Sequence, residues 1–281
     1  MILVTGASGT VGAELVRLLR DQGQPVRAGI HSHPLAIDGV QAVAIDFDRP
    51  ETLPEALEGV RQVYLLSFAI SHETALVEAA RREGVERIVK HSAFGAAEQD
   101  FLTGRLHREV ERKIEASGLA WTFLRPNYFM QNFITVMGDD IRRDSAIYDS
   151  AVGARISYID ARDIARVGAR VLAERGHEGK AYELSGPEAI TNEQAAARLS
   201  EAVGRTIRYV PITDDEFRHR CLAMGLSEDD AEQWVDVNRQ ARATDADSVV
   251  TTGVEDILGR PATPFTQFCS DHAPAFRLGA A

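Results

Sequence analysis

The chain has 281 residues, 44% of them hydrophobic, which is enough to bury one large core or two modest ones and excludes a disordered class. Its 42 acidic and 31 basic residues give a formal net charge of −11, which repels nucleic acid and anionic membrane in bulk and requires any phosphate site to be built locally. No uncharged apolar stretch approaches the roughly 18 residues of a membrane span, no basic leader precedes the first strand, and Cys221 and Cys269 lack metal or CxxC spacing; together these point to a cytoplasmic protein with free thiols and no metal site.

The first apolar run, Ile2–Val4, leads into Gly6, Gly9 and Gly12, and a helical pattern follows over Val11–Arg20. Glycines at this spacing between strand and helix suit a pyrophosphate. Gly6 makes the tight turn, Gly9 admits close backbone approach, and Gly12 lets the helix pack on the strand. The helix start at Thr10 and Val11 offers free N–H groups and a partial positive charge. An ordinary strand–helix turn is the plainer alternative. Ser8 and Thr10 place hydroxyls in the loop, as phosphate contacts or as helix caps, and the two roles are compatible.

Further short apolar runs fall at Val26–Ile30, Ala42–Ile45, Val63–Leu66, Ile88–Val89 and Trp121–Leu124. Helical patterns lie between them at Pro50–Leu57, Glu73–Arg82 and Leu106–Ala116, ended by Gly59, Gly84 and Gly118. Such alternation predicts a parallel sheet with right-handed crossovers. The second apolar run ends in Ile30-His31-Ser32-His33. A binder of NAD places an acid about 20 residues past the glycines to hold the ribose hydroxyls. None stands here, and His31 and Ser32 can donate to a 2′-phosphate, so NADP(H) is favoured and NAD remains possible.

Beyond residue 150 the spacing predicts strands at Ile156–Ile159 and Tyr182–Leu184. Asp160 is to start a helix, with Asp163 completing a capping-box-like pair, and Thr191 and Gln194 are to form a second box before Ala195–Val203. A charged helical pattern covers Asp214–Arg242, and a Pro-bounded helix lies within Ile257–Phe276. The expected fold is a Rossmann-type α/β protein. Its doubly wound parallel sheet lies mainly in residues 1–150, while residues 151–281 supply late strands and a smaller C-terminal α/β substrate lobe across an interleaved boundary.

Gly6-Ala-Ser-Gly-Thr-Val-Gly12, Ala44-Ile-Asp46, His91-Ser-Ala-Phe-Gly95, His107-Arg-Glu-Val-Glu111 and Thr122-Phe-Leu-Arg-Pro126 follow one another in the order of an atypical short-chain dehydrogenase/reductase. Ile159-Asp-Ala-Arg-Asp-Ile-Ala165, Leu184-Ser-Gly-Pro187 and Leu258-Gly-Arg-Pro261 carry the likeness through nearly the whole chain. The sequence resembles the NmrA-like group, which includes triphenylmethane reductase and a bacterial quinone reductase. That resemblance implies an extended Rossmann domain, NAD(P)H, and reduction of a small organic molecule. Members that bind the nucleotide as a sensor give the alternative reading of a redox regulator without turnover; a sugar-nucleotide epimerase-like enzyme is a third. A monomer or homodimer with a small-molecule substrate is expected.

The resemblance also implies site residues. Asp46 stands where a side chain faces the adenine amino group, with Phe47 beside the ring; a polar strand end or a helix cap is the alternative for Asp46. Ser67 and Phe68 are to line the nicotinamide ribose. Ser92 and Phe94 end the strand nearest the reactive ring, with Phe94 as either pocket wall or core. In place of the usual YxxxK, this chain has His107 and Glu111. At i and i+4 they can pair, which would favour an imidazolium able to donate a proton; a structural brace is the other reading. Losing YxxxK disfavours alcohol oxidation and epimerisation, which need a strong base, and suits hydride transfer to quinones, iminium ions or conjugated cations. Asn127, Tyr128, Phe129 and Tyr158 are substrate-pocket candidates or the seam between lobes.

Overall fold

The computed structural model describes residues 1–31, 35, 37–67, 70, 73–97 and 101–277. The strands are β1 (Ile2–Val4), β2 (Val26–Ile30), β3 (Gln41–Ala44), β4 (Gln62–Leu65), β5 (Arg87–His91), β6 (Ala120–Pro126), β7 (Ala146–Asp149), β8 (Lys180–Leu184) and β9 (Arg208–Pro211). The helices are α1 (Thr10–Asp21), α2 (Leu53–Leu57), α3 (Glu73–Arg82), α4 (Leu102–Ala116), α5 (Asn132–Thr135), α6 (Gly138–Asp144), α7 (Ala161–Ala173), α8 (Asn192–Val203), α9 (Asp214–Ala223), α10 (Glu228–Ala243), α11 (Gly253–Leu258) and α12 (Phe265–Asp271).

Seven strands form a parallel sheet in the order β3-β2-β1-β4-β5-β6-β8. Strand alternation divides its side chains between two cores. Ile2, Val4, Ala28, Tyr64, Val89 and Leu124 meet Val11, Leu15 and Leu19 of α1 and the apolar face of α7. Leu3, Val63, Leu65, Ile88 and Phe123 meet α2, α3 and α4. Gly168 lets α7 come close: a Cβ there would stand 3.1 Å from the Tyr64 ring. Strand order reverses between β1 and β4, so the crevice outside the carboxyl ends of these strands is where such a fold binds ligands.

A second, two-stranded sheet, β7 beside β9, packs with α6, α8 and α12 around Phe133, Tyr158, Phe265, Phe268 and Phe276. The chain reaches this lobe from β6 through α5 and α6, returns to the main sheet for α7 and β8, and leaves again at α8. Lobe elements therefore lie on both sides of residue 150. Helices α9 and α10 form a small cluster of their own around Phe217, Cys221, Ala231 and Val235. Among the described residues no helix is long and apolar enough to cross a membrane.

Three local expectations are corrected. Ile156–Ile159 is not a strand: its ends make single bridges, Ile156 to Ile190 and Ile159 to Phe129, and Ser157 N donates to Asp247 O between them. Asp160 caps α7 by accepting from Arg162 N, but Asp163 does not complete a box, because its carboxylate accepts from Arg260 Nη2 and Thr263 N, each at 2.6 Å. The Asp214–Arg242 pattern is two helices, broken near Gly225, whose φ of 90° is costly for any other residue. The Thr191–Gln194 box forms in full.

The loop after β8 crosses the bridge segment so closely that a Cβ on Gly186 would fall 1.9 Å from Tyr158 O. Gly186→Ala must move backbone, and we expect it to lower unfolding free energy by about 1–3 kcal/mol in a denaturant titration, as overpacking does.

Candidate active site

The glycine loop has the geometry of an anion cradle. Gly6 has a φ of 59°, and a Cβ on Gly12 would lie 2.2 Å from Gly6 O, so α1 packs directly on the turn. Gly9 is the N-cap of α1, no side chain caps the helix, and no acidic residue lies in its first turn. Ser8 and Thr10 are exposed and do not act as caps. The first turn at Thr10, Val11 and Gly12 thus presents its positive end without an internal partner, which fits a pyrophosphate. Thr5 braces this edge: its hydroxyl donates to Leu66 O at 2.7 Å and accepts from Leu66 N at 2.8 Å, tying β1 to the end of β4.

At the far end of the crevice His31 is exposed, with Nε2 3.9 Å from Asp46 Oδ1. Asp46 Oδ1 also accepts from Asp48 N at 3.0 Å, closing a local turn. Phe47 packs against the core beneath α2 and α3. Ser67 is half-buried at the end of β4. Ser32 and Phe68 lie outside the described residues.

Between the carboxyl ends of β5, β6 and β8 and the helices α3 and α4 lies a buried cluster of charged side chains. The inward face of α4 carries Gly104, His107, Val110, Glu111 and Ile114, a helical stripe containing both expected polar residues. The two do not pair, which corrects the i, i+4 expectation. Glu111, fully buried, takes two of the three nitrogen donors of Arg125, Nε at 2.9 Å and Nη2 at 2.8 Å, with Ser92 Oγ at 2.7 Å and Arg108 Nη1 at 3.2 Å. A guanidinium fork satisfies a buried carboxylate better than one imidazole N–H can. Arg125 Nη1 also reaches Glu183 Oε1 at 3.1 Å, and Glu183 Oε2 accepts from Gly95 N at 3.0 Å.

His107 turns instead to Lys90, whose Nζ lies 3.1 Å from its Nδ1. Burial, and then the Lys90 charge, hold His107 well below the usual histidine range, so the ring is neutral and the expected imidazolium is overturned. Lys90 Nζ also touches His91 O and lies 2.8 Å from Glu73 Oε2, with both side chains fully buried. The Glu73 contact is ionic and lacks hydrogen-bond direction. Burial pushes Glu73 up to about 7 against the pull of Lys90. His91, on the opposite face of β5, accepts from or donates to Tyr64 OH at 2.9 Å, and burial brings it down to about 3.

The expected substrate residues divide. Phe94 is buried beyond β5, its N donating to Pro126 O at 3.1 Å. Phe129 sets its ring edge-on to His91, with centroids 5.8 Å apart. Tyr128 is half-buried and donates to Val237 O of α10 at 2.9 Å. Asn127 and Tyr158 belong to the seam. Asn127 Nδ2 donates to Ser157 Oγ at 2.8 Å and Asp247 O at 2.9 Å, while Tyr158 donates to Asn192 Oδ1 at 2.9 Å and packs on Phe133 and Phe265. With their polar atoms satisfied internally, neither offers a group to a ligand.

Lys90, Glu73 and Arg125 were missed as site residues. The signal for Lys90 was present: it shares the inward face of β5 with Ile88, where a lysine must have buried partners.

A model of the NmrA-like family matches residues 1–247. The chain is 38% identical to the NAD(P)H azoreductase of Xenophilus azovorans over 285 aligned residues, covering 98% of this chain and 99% of that protein. It is 36% identical to the (4-alkanoyl-5-oxo-2,5-dihydrofuran-3-yl)methyl phosphate reductase of Streptomyces griseus, again covering 98% and 99%. Among solved structures it is similar to an NADPH-dependent quinone oxidoreductase of Escherichia coli complexed with NADPH, with 25% identity, a TM-score of 0.84 and coverage of 96% and 99%.

Two outcomes follow from the buried charges. Arg125→Met leaves Glu111 without its main counter-charge and is expected to cost about 3–5 kcal/mol in chemical unfolding, whereas Arg125→Met with Glu111→Met should recover much of that loss. His91 is neutral in the fold and protonates in the unfolded chain below about pH 6.5. Its contribution is therefore full above that pH and is lost as pH falls toward 3. Between pH 7.5 and pH 5.5 the wild type should lose about 1.4 kcal/mol more than His91→Phe, read as the change in slope and not in absolute stability.

Proposed function

The chain belongs to the NmrA-like family, and from that premise we propose that it is an NAD(P)H-dependent reductase of small activated organic acceptors, such as quinones, azo compounds or conjugated cations. The observation that carries this reading is the uncapped first turn of α1 at the Gly6–Gly12 loop, on the same carboxyl edge of the parallel sheet as a buried polar cluster at the ends of β5 and β6. The sequence relatives include an NAD(P)H azoreductase and a second reductase, each matched over 98% of this chain.

Bound there, NAD(P)H would supply a hydride and its electron pair. The chain's own residues bind and orient. The glycine loop and the α1 N-terminus would hold the pyrophosphate. Ser67 and Ser92 border the expected nicotinamide end, although the Ser92 hydroxyl is already committed as a donor to Glu111. His31 favours a 2′-phosphate, and Asp46 beside it tempers that preference. Phe94, Tyr128 and Phe129 are offered as the apolar surroundings of the acceptor, where water exclusion strengthens each remaining hydrogen bond.

Sensing without turnover is the second reading, supported by the absence of YxxxK. The boundary near residue 150 and a monomeric or homodimeric state remain part of the proposal. So does a cytoplasmic location, which accords with two free, buried cysteines.

NADPH oxidation followed with a small para-quinone and an azo dye tests the reading. Consumption that requires the acceptor is expected; tight NADPH binding with no oxidation by either acceptor would favour the sensor. Gly9→Val should abolish NADPH binding in calorimetry while leaving thermal unfolding cooperative, because its side chain would fill the space above the turn. NADPH should bind more tightly than NADH, by a margin that shrinks as salt rises.

A further inference from the structure

Lys90 is an ammonium sealed inside the protein. It projects from β5 between α3 and α4, with its side chain fully buried. Three partners surround Nζ: the His91 carbonyl on its own strand, the Glu73 carboxylate at the start of α3, and His107 Nδ1 on α4. An ammonium has no lone pair, so toward His107 it can only donate, and Nδ1 must accept. The single proton of the neutral ring then sits on Nε2.

Nε2 is the free end of this arrangement. The sealed side-chain polar atoms without a hydrogen bond of good geometry among the described residues are Gln62 Oε1, the two Glu73 oxygens, which Lys90 meets as an ion pair, Arg87 Nε and His272 Nε2. His107 Nε2 makes no hydrogen bond among the described residues, and His107 keeps 8% of its surface exposed. The chain thus holds a neutral N–H donor backed on its other nitrogen by a buried cation, at the helix position where YxxxK would place its tyrosine.

We propose that Lys90 and His107 form a proton relay for the reduction: as the acceptor gains a hydride, the Nε2–H bond of His107 breaks to protonate the acceptor's oxygen or nitrogen, and a Lys90 N–H proton moves to Nδ1. This rests on the reductase reading. The balance closes. The acceptor is reduced by two electrons supplied as hydride, with NAD(P)+ as the oxidised product. The second hydrogen arrives as a proton, leaving Lys90 as a neutral amine and His107 protonated on Nδ1 alone. Once product departs, water protonates Nε2 and Nδ1 returns its proton to Nζ. Passing the proton through both ring nitrogens avoids an imidazolate and lets a histidine that does not charge act as an acid. Glu73, whose carboxyl burial has raised toward neutrality, opposes the neutral amine less than a fixed anion would.

His107 touches the acceptor in this scheme; Lys90 acts through it as a positioning and proton-holding residue. Neutral acceptors with an oxygen or nitrogen that gains charge need the relay. A triarylmethyl cation, neutralised by hydride alone, does not.

The first test is the tautomer of His107, read by NMR on protein carrying 15N-labelled histidine, without cofactor or turnover. The Nε2–H form is expected in the wild type and a mixture in Lys90→Met. An Nδ1–H ring or a cationic ring in the wild type overturns the relay. The second is single-turnover reduction by NADPH. Lys90→Met should slow a para-quinone and an azo dye by about 10²-fold, the low end for general acid catalysis, and lose their solvent deuterium effect. A cationic triarylmethyl dye should slow less than about threefold, with NADPH affinity unchanged. Equal slowing of all three acceptors, or of none, overturns the proposal. Should Lys90→Met fold poorly with Glu73 left unpaired, Lys90→Met with Glu73→Gln removes both charges and carries the same expectations. If the wild type reduces no acceptor, the reductase reading falls and the relay with it, whereas an Nε2–H tautomer beside acceptor-blind kinetics sinks the relay alone.

Discussion

The fork of Arg125 on Glu111 is the contact on which the working edge of the sheet depends. One side chain comes from β6 and the other from α4, both are almost wholly out of water, and neither could be buried without the other. Through Glu111 the fork holds the Ser92 hydroxyl. Through Glu183 it holds Gly95 N, so the turn after β5 is tied at two points to the charges beneath it. The position of α4 follows, and with it that of His107, one helical turn before Glu111. Apolar residues could fill the same volume at equal or lower free energy. What the charges add is direction, because a bidentate pair accepts one register of helix against strand.

That constraint also explains why the expected His107–Glu111 pair does not form. Both residues lie on the buried face of α4, and each has a better partner across the helix–sheet interface than along the helix. The i, i+4 relation describes an isolated helix in water. Once the face is buried, a carboxylate takes as many donors as it can reach. Spacing within one element established which residues share a face, but the competing partners come from β5 and β6, and their identity depends on how the elements pack.

The same distinction separates what was legible in the sequence from what was not. The main sheet was legible because its strands are short apolar runs bounded by helix-ending glycines, and the parallel order follows from their alternation with helices. The cradle was legible because two of its glycines answer a local demand: a positive φ at Gly6 and a near contact at Gly12. The two-stranded sheet of β7 and β9 was not foreseen. Its strands have four residues each, and half of Arg208–Pro211 is exposed, so neither shows a clear period. Asn127 and Tyr158 were assigned to a pocket on their chemistry, yet their polar atoms are consumed by Ser157, Asp247 and Asn192, partners up to 120 residues away. No local pattern announces partners at that range.

A protein of net charge −11 that is to hold an anionic nucleotide must create its positive potential without a surplus of cations. Here two sources of positive charge are kept apart. At the phosphate end it is the backbone dipole of α1, whose first turn has no acid and no cap. At the other end it is Lys90, buried and balanced by Glu73, so its field stays short-ranged and falls mainly on His107 and His91. Both histidines are driven toward neutrality by the same two causes, burial first and the lysine second. A neutral imidazole is a weak base held beside a cation, poorly suited to taking a proton from an alcohol. It is better suited to offering one to an acceptor that is becoming more basic. At rest the pair therefore holds the proton that a reduction consumes.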